Sequence, residues 1–322
     1  MNSTESFWEN KRVFVTGVSG FVGSHLTSCL LEKGARVVGL KHTKANNNRN
    51  DYFIEEKGSV KEFGLLRKII HNYRIEYIFH LAGQPLVETG SESPLETFSV
   101  NIQGTWNILE AARLNKVKKI IVASTTHVYG DNPNVPYTED YYPQPSRPYE
   151  TSKACADLLA QSYADTYGLP VEIFRFVNLY GPGDTNFSRL IPKVMRAVLE
   201  NKNIHIWDVG AVRDFLYIKD AVNAYIMLAE KSLQPSKRAR IINIGTGNQV
   251  RVVSVARKII KISGRKKIKL IIDSIPKERE KEIKKQYISI EKARKVLSWK
   301  PIHTLEEGLT ETFAWYKDYF NA

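Results

Sequence analysis

Short runs of consecutive apolar residues alternate with amphipathic stretches through the first 180 residues. The runs at 12–16, 36–40, 77–80, 119–123 and 171–176 read as strands, and the stretches 21–33, 60–73, 94–115 and 149–167 read as helices. The strands are apolar at successive positions, not alternate ones, so both of their faces must be covered, as in parallel strands flanked by helices. The alternation therefore predicts an α/β fold on a doubly wound parallel sheet. The polar, Asn-rich segment 43–51 reads as a surface loop. Beyond Gly181-Pro182-Gly183 the elements shorten, with helices predicted at 187–201, 220–231, 252–263 and 304–321. This half is expected to form a smaller α/β lobe against the strand C-termini, where open sheets bind their ligands.

The first strand runs directly into Gly17-Val18-Ser19-Gly20-Phe21-Val22-Gly23 and then into a helix. Glycines at this spacing in a strand-to-helix turn let the backbone approach a pyrophosphate, which the helix N-terminus attracts. Gly17, Ser19, Gly20, Phe21, Val22 and Gly23 are thus the predicted cofactor cradle. Residues 1–180 are read as a Rossmann-type dinucleotide-binding domain and 181–322 as mainly the substrate lobe. The second strand usually ends in an acid that binds the ribose 2′-hydroxyl of NAD. Here Lys41 and His42 stand at that place, and a cation there favours a 2′-phosphate. The cofactor is read as NAD or NADP.

Tyr149-Glu150-Thr151-Ser152-Lys153 opens a predicted helix, and a spacing of four puts Tyr149 and Lys153 on one face, a turn apart. An ammonium there favours the phenolate, and a tyrosine so tuned takes a proton from a hydroxyl while the adjacent carbon yields hydride. The preceding strand ends in the hydroxyl-rich Ser124-Thr125-Thr126-His127, where a hydroxyl can hydrogen-bond the reacting oxygen.

Composition changes the picture only at its edges. With 43% apolar and 11% aromatic residues in 322, the chain has ample material for a core, which excludes a disordered chain. No apolar stretch approaches the length of a membrane span, and MNSTESFWENKR lacks a signal-peptide core, so a cytoplasmic protein is expected. Cys29 and Cys155, far apart, are read as reduced packing residues. The net charge of +13 reads mostly as a solvated face, with part of it available to an anionic substrate, and calls for no nucleic-acid partner. The remaining histidines form no metal-ligand spacing, so no metal is predicted.

TGVSGFVG, HLAGQ, the Ser/Thr-rich stretch before VYG, YETSK and RDFLYIKD, in this order, resemble the extended short-chain dehydrogenase/reductase family of nucleotide-sugar enzymes over nearly the whole chain. SKACADL and RLIP resemble CDP-glucose 4,6-dehydratases, and GDTNFSRLIP with EIKKQYISIEKARKVLSW resembles the soluble UDP-N-acetylglucosamine 4,6-dehydratases. The resemblance implies that Thr125, Tyr149 and Lys153 are the catalytic hydroxyl, base and partner lysine. It places Leu81, Ala82, Gly83 and Gln84 along the cofactor. It also gives Asn178, Arg189, Leu190, Ile191, Pro192 and Arg213 to a nucleotide-diphosphate sugar, and it implies a homodimer built on the helices 94–115 and 149–167. Family members usually carry an acid at the adenine-binding turn, where Gly58, Ser59 and Val60 stand here.

The similar dehydratases also place an Asp, then a Lys or Glu, directly after the catalytic hydroxyl. Thr126 and His127 occupy those places. A threonine hydroxyl is a poor proton donor to a leaving group, so His127 would have to serve as both acid and base, or borrow Glu150. The replacement favours C4 epimerisation or a simple C4 redox reaction over 4,6-dehydration. A non-catalytic dinucleotide-binding sensor is the remaining class, and the intact Thr125, Tyr149 and Lys153 argue against it.

Overall fold

A computed structural model describes residues 6–42, 51–207, 210–231, 239–274 and 283–321. Of the Asn-rich loop expected at 43–51, Asp51 alone lies within the described residues. The strands are β1 (Arg12–Thr16), β2 (Arg36–Lys41), β3 (Phe53–Lys57), β4 (Tyr77–His80), β5 (Lys119–Thr125), β6 (Val171–Phe176), β7 (Asn178–Tyr180), β8 (Ile204–Trp207), β9 (Val212–Arg213), β10 (Phe215–Tyr217) and β11 (Arg240–Ile244). They are followed by β12 (Val250–Arg251), β13 (Leu270–Asp273) and β14 (Lys285–Gln286). The main sheet runs in the order β11-β6-β5-β4-β1-β2-β3, with β1 parallel to β2 and β4, β2 parallel to β3, and β4 parallel to β5. Strand order reverses between β1 and β4, so the turns after these two strands flank the crevice in which doubly wound sheets hold their cofactor.

Chain contacts divide the molecule into two compact units that interleave along the sequence. The first comprises residues up to Gly130, Tyr142–Arg175 and Val222–Ile242; the second comprises Asp131–Tyr141, Phe176–Ala221 and the residues from Asn243 on. In the first unit the helices are α1 (Phe21–Glu32), α2 (Phe63–Asn72), α3 (Val87–Glu92), α4 (Pro94–Phe98), α5 (Gly104–Leu114) and α6 (Pro148–Tyr167). Its core joins Phe14, Val38 and Ile78 of the sheet to Leu66, Ile69, Ile108, Leu109 and Ala160 of α2, α5 and α6. In the second unit β7 pairs with β10, β8 with β13, and β9 with β12 and β14. Its helices include α7 (Leu190–Leu199), which follows α6 in the chain and buries Ile191, Val194, Met195 and Val198.

Three elements differ from the sequence expectation. β3, FIEEK, has no apolar run, because it is an edge strand whose residues are mostly half-buried. β11 follows a basic segment and closes the far edge of the sheet. The helix expected at 94–115 runs on without a gap, but it widens between α4 and α5 into a π-helical turn, Ser99–Gln103. Such turns cluster at functional sites, because the extra residue swings a side chain out of the helical ladder.

Candidate active site

The glycine-rich turn has the form its spacing implies. Gly17 has φ +72°, a left-handed conformation that disfavours any other residue, and a Cβ at Gly23 would fall 2.1 Å from Gly17 O. A Cβ at Gly17 would fall 2.8 Å from Ala82 N, so the turn after β1 packs directly on the turn after β4. Ser19, Gly20, Phe21 and Val22 complete the entry to α1, with Gly20 at its N-cap. A cradle that side chains would fill, at a helix N-terminus and a strand-order reversal, fits a dinucleotide pyrophosphate.

The turn at 81–84 is braced from the π turn. Asn101 Oδ1 accepts from Gln84 N at 2.7 Å, and its Nδ2 donates to Gln84 O at 3.0 Å and to Ser152 Oγ at 2.8 Å. Ser152 Oγ in turn donates to Tyr149 O at 2.7 Å. A Cβ at Gly83 would lie 3.0 Å from Asn101 Oδ1 and 4.0 Å from Lys153 Nζ. The predicted cofactor turn and the predicted catalytic lysine are therefore neighbours. Neither Asn101 nor Ser152 stood out in the sequence. An asparagine in the middle of an apolar helical stretch was the available signal, because a buried amide must find partners.

α6 begins at Pro148, and Glu150 closes its N-terminus by accepting from Arg147 N, Ser146 N and Ser146 Oγ. This fixes Tyr149, which is buried, with its ring edge-on to His127 at 5.7 Å between centroids. Lys153 Nζ donates to Ala123 O. Desolvation lowers the Lys153 pKa to about 8, and Asp157, one turn further along α6, pulls the other way. At the end of β5, Thr125 Oγ1 accepts from His127 N at 3.3 Å, Thr126 is buried, and Ser124 Oγ is committed to Asp157 at 3.0 Å. His127 Nδ1 lies 3.7 Å from Glu150 Oε1, an ion-pair distance and not a hydrogen bond. Burial pushes the Glu150 pKa up, but the His127 ring and the Ser146 and Arg147 amides outweigh it and hold the carboxyl below the usual glutamate range.

The electrostatic case for a 2′-phosphate weakens in the structure. Lys41 Nζ is 3.7 Å from Glu55 Oε1 across the β2–β3 pair, and the two side chains are only 15% and 12% exposed. The cation read from the sequence is thus matched by a carboxylate from a neighbouring strand. His42 follows β2 and is exposed. Ser59 and Val60 lie in the turn after β3: Ser59 N donates to Glu62 Oε1, and Val60 O accepts from Asn107 Nδ2.

The residues assigned by resemblance to the nucleotide sugar all lie in the second unit. Asn178 Nδ2 donates to Asp214 O at 3.2 Å. Arg189, at the N-cap of α7, is held by both oxygens of the buried Asp184 at 3.1 Å, and Leu190, Ile191 and Pro192 form the first turn after it. Arg213 on β9 is buried and donates to Val212 O at 3.0 Å. Among the described residues no group of three or more His, Cys, Asp or Glu side chains is arranged to hold a metal ion, and no helix is long and apolar enough to cross a membrane.

Comparison with known proteins bears directly on this geometry. Residues 13–245 match the model of the NAD-dependent epimerase/dehydratase family. The chain is 32% identical to a UDP-glucuronate 4-epimerase of Thermodesulfobacterium geofontis, over 94% of this chain and 95% of that protein. It is 30% identical to a dTDP-D-glucose 4,6-dehydratase of Homo sapiens, over 97% of this chain and 91% of that one. The crystal structure of a UDP-glucuronic acid 4-epimerase from Bacillus cereus, in complex with UDP-glucuronic acid and NAD, superposes with a TM-score of 0.85 at 28% identity, covering 96% of this chain and 99% of that one.

Proposed function

Because this chain belongs to the NAD-dependent epimerase/dehydratase family, we propose that it oxidises a nucleotide-diphosphate hexose at C4 with NAD, and that its product is a C4 epimer or C4 redox product, not a dehydrated sugar. NAD, when bound, supplies the hydride acceptor for C4 and the hydride that is given back. Tyr149 takes the proton of the C4 hydroxyl, Lys153 stabilises the phenolate, and Thr125 hydrogen-bonds the reacting oxygen. The turns at 17–23 and 81–84 hold the cofactor. Asn178, Arg189, Leu190, Ile191, Pro192 and Arg213 bind the nucleotide and its diphosphate, the arginine fork matching phosphate oxygens.

The observation that carries the choice of product is the pair Thr126 and His127. Elimination of the C6 hydroxyl needs a base for the C5 proton and an acid for the leaving group. Thr126 is buried and offers only a hydroxyl, while Glu150 is held as an anion by its amide donors and by His127. The acid's role then falls on His127, with Glu150 fit only to serve as a base, whereas epimerisation needs neither. Its closeness to Glu150 makes a His127-driven 4,6-dehydration the second reading. Mass spectrometry after incubation with a panel of nucleotide sugars separates them: unchanged mass marks an epimerase, gain or loss of two hydrogens a redox enzyme, and loss of water a dehydratase. His127→Ala is expected to retain C4 hydride transfer, with no 4-keto-6-deoxy product from either protein. Water loss in the wild type that disappears in the variant would overturn the epimerase reading.

The Lys41–Glu55 pair supports NAD over NADP, since it removes the free cation that a 2′-phosphate needs. Glu55→Gln is expected to tighten NADP about tenfold, the effect of one charge contact released, with NAD little changed. Lys41→Met in that background should erase the gain. Calorimetric titration of both cofactors checks this, and an unaltered NADP affinity in Glu55→Gln would remove Lys41 from the ribose pocket.

A homodimer belongs to the same reading. Leu95 of α4, Trp106 of α5, and Leu158 and Tyr167 of α6 are 81%, 43%, 52% and 56% exposed, an apolar cost that a second copy across a two-fold axis relieves. Light scattering at micromolar concentration should give twice the chain mass, and a monomer would refute it. Unpaired Cys29 and Cys155 accord with a cytoplasmic setting.

A further inference from the structure

His80, the last residue of β4, is buried and plays no part in the chemistry above. Its Nδ1 lies 2.8 Å from Thr16 Oγ1 at the end of β1, and its Nε2 lies 3.2 Å from Thr105 Oγ1 in α5. The protons along this line can be assigned. Thr105 Oγ1 donates to Asn101 O at 2.6 Å, and a carbonyl can only accept. The Thr105 proton is therefore spent, and its oxygen must accept from His80 Nε2–H. Burial, reinforced by the nearby Lys153 charge, keeps His80 neutral down to about pH 3. Its Nδ1 is then an acceptor, and the Thr16 hydroxyl donates to it. The Thr16 oxygen meanwhile accepts from Ala82 N at 3.2 Å.

The result is a unidirectional chain: Ala82 N–H to Thr16, Thr16 to His80, His80 to Thr105, Thr105 to Asn101 O. Both ends are functional. Ala82 is the residue on which Gly17 packs. Asn101 clamps Gln84 and, through Ser152, the first turn of α6. In a low-dielectric interior such a chain is strong when complete and costly when one link is missing.

We propose that His80 is a positioning residue that holds the β1 and β4 turns in register with the π turn, and so sets the spacing between the cofactor cradle and the helix carrying Tyr149 and Lys153. The proposal rests on the NAD-binding reading of the cradle. Its test is the dissociation constant of NAD alone, measured by calorimetry on wild type, His80→Leu, Thr105→Val, the double variant and Thr105→Ser, with melting temperatures recorded alongside. Thr105→Val removes the hydroxyl with little change of shape, and Thr105→Ser returns it. His80→Leu and Thr105→Val are each expected to weaken NAD about tenfold, as one broken buried link would. The double variant should be no worse than the weaker single, because one chain is broken twice, and Thr105→Ser should bind as wild type does. Unchanged NAD affinity in Thr105→Val, with or without a lower melting temperature, would overturn the proposal, as would additive losses. Should His80→Leu fail to fold, the Thr105→Val and Thr105→Ser pair decides alone. A wild type that does not bind NAD refutes the cofactor reading itself, whereas a wild type that binds and variants that bind equally refute only the role of His80.

Discussion

Tyr149→Phe should fold as the wild type does and oxidise C4 at least about a hundredfold more slowly, the usual loss when a positioned acid–base group is removed. The ring is buried and its packing survives the loss of one oxygen, and Ser152 binds the Tyr149 backbone carbonyl, not the phenol, so the brace to Asn101 is untouched. Single-turnover reduction of NAD by an active nucleotide sugar is the measurement. A rate near wild type would end the tyrosine mechanism. The wild-type rate should also fall as pH rises through about 8, because Lys153 is cationic below that value and loses its proton above it, and with it the charge that stabilises the phenolate. A rate flat from pH 7 to 9.5 would mean that the Lys153 charge does not act on the reaction.

Asp157→Asn is expected to have the largest effect on stability, a loss of about 3–5 kcal/mol against a total of about 5–15 kcal/mol for a folded domain, since it leaves a buried charge unpaired. Asp157 and Arg175 are 0% and 1% exposed, and the contacts are bidentate: Arg175 Nε to Oδ2 at 2.8 Å and Nη2 to Oδ1 at 3.1 Å. The same carboxylate accepts from Ser124 Oγ at 3.0 Å and Gln161 Nε2 at 2.8 Å, and the guanidinium stacks 4.8 Å from the Tyr129 ring. One ion pair therefore ties the catalytic end of β5 and the Tyr129 turn to α6 and β6. Asp157→Leu combined with Arg175→Met removes both charges together and should recover most of the loss. Urea denaturation midpoints check both variants. A single variant as stable as wild type would show that the pair contributes nothing.

Local physics alone determined the parts of this protein that the chain carries in contiguous pieces. Runs of four to six mostly apolar residues marked five strands of the sheet because a strand buried on both faces is apolar at most of its positions. The glycine turn was legible because its spacing answers a backbone requirement within one turn, realised at Gly17 with φ +72°. Tyr149 and Lys153 were legible because a helix puts residues four apart on one face. The strand β3 was not, since an edge strand needs no apolar run. The π-helical turn after α4 was not, because the sequence there keeps an ordinary helical pattern and the turn serves contacts made elsewhere, from Asn101 to Gln84 and to Ser152, 51 residues away. Lys41 looked like a free cation until β3 brought Glu55 beside it. The His80 chain and the Asp157–Arg175 pair join residues up to 66 apart. Such pairs leave no periodic trace in a sequence, because a hydrogen bond or ion pair depends on where two segments meet in space, and only the assembled sheet and its helices decide that.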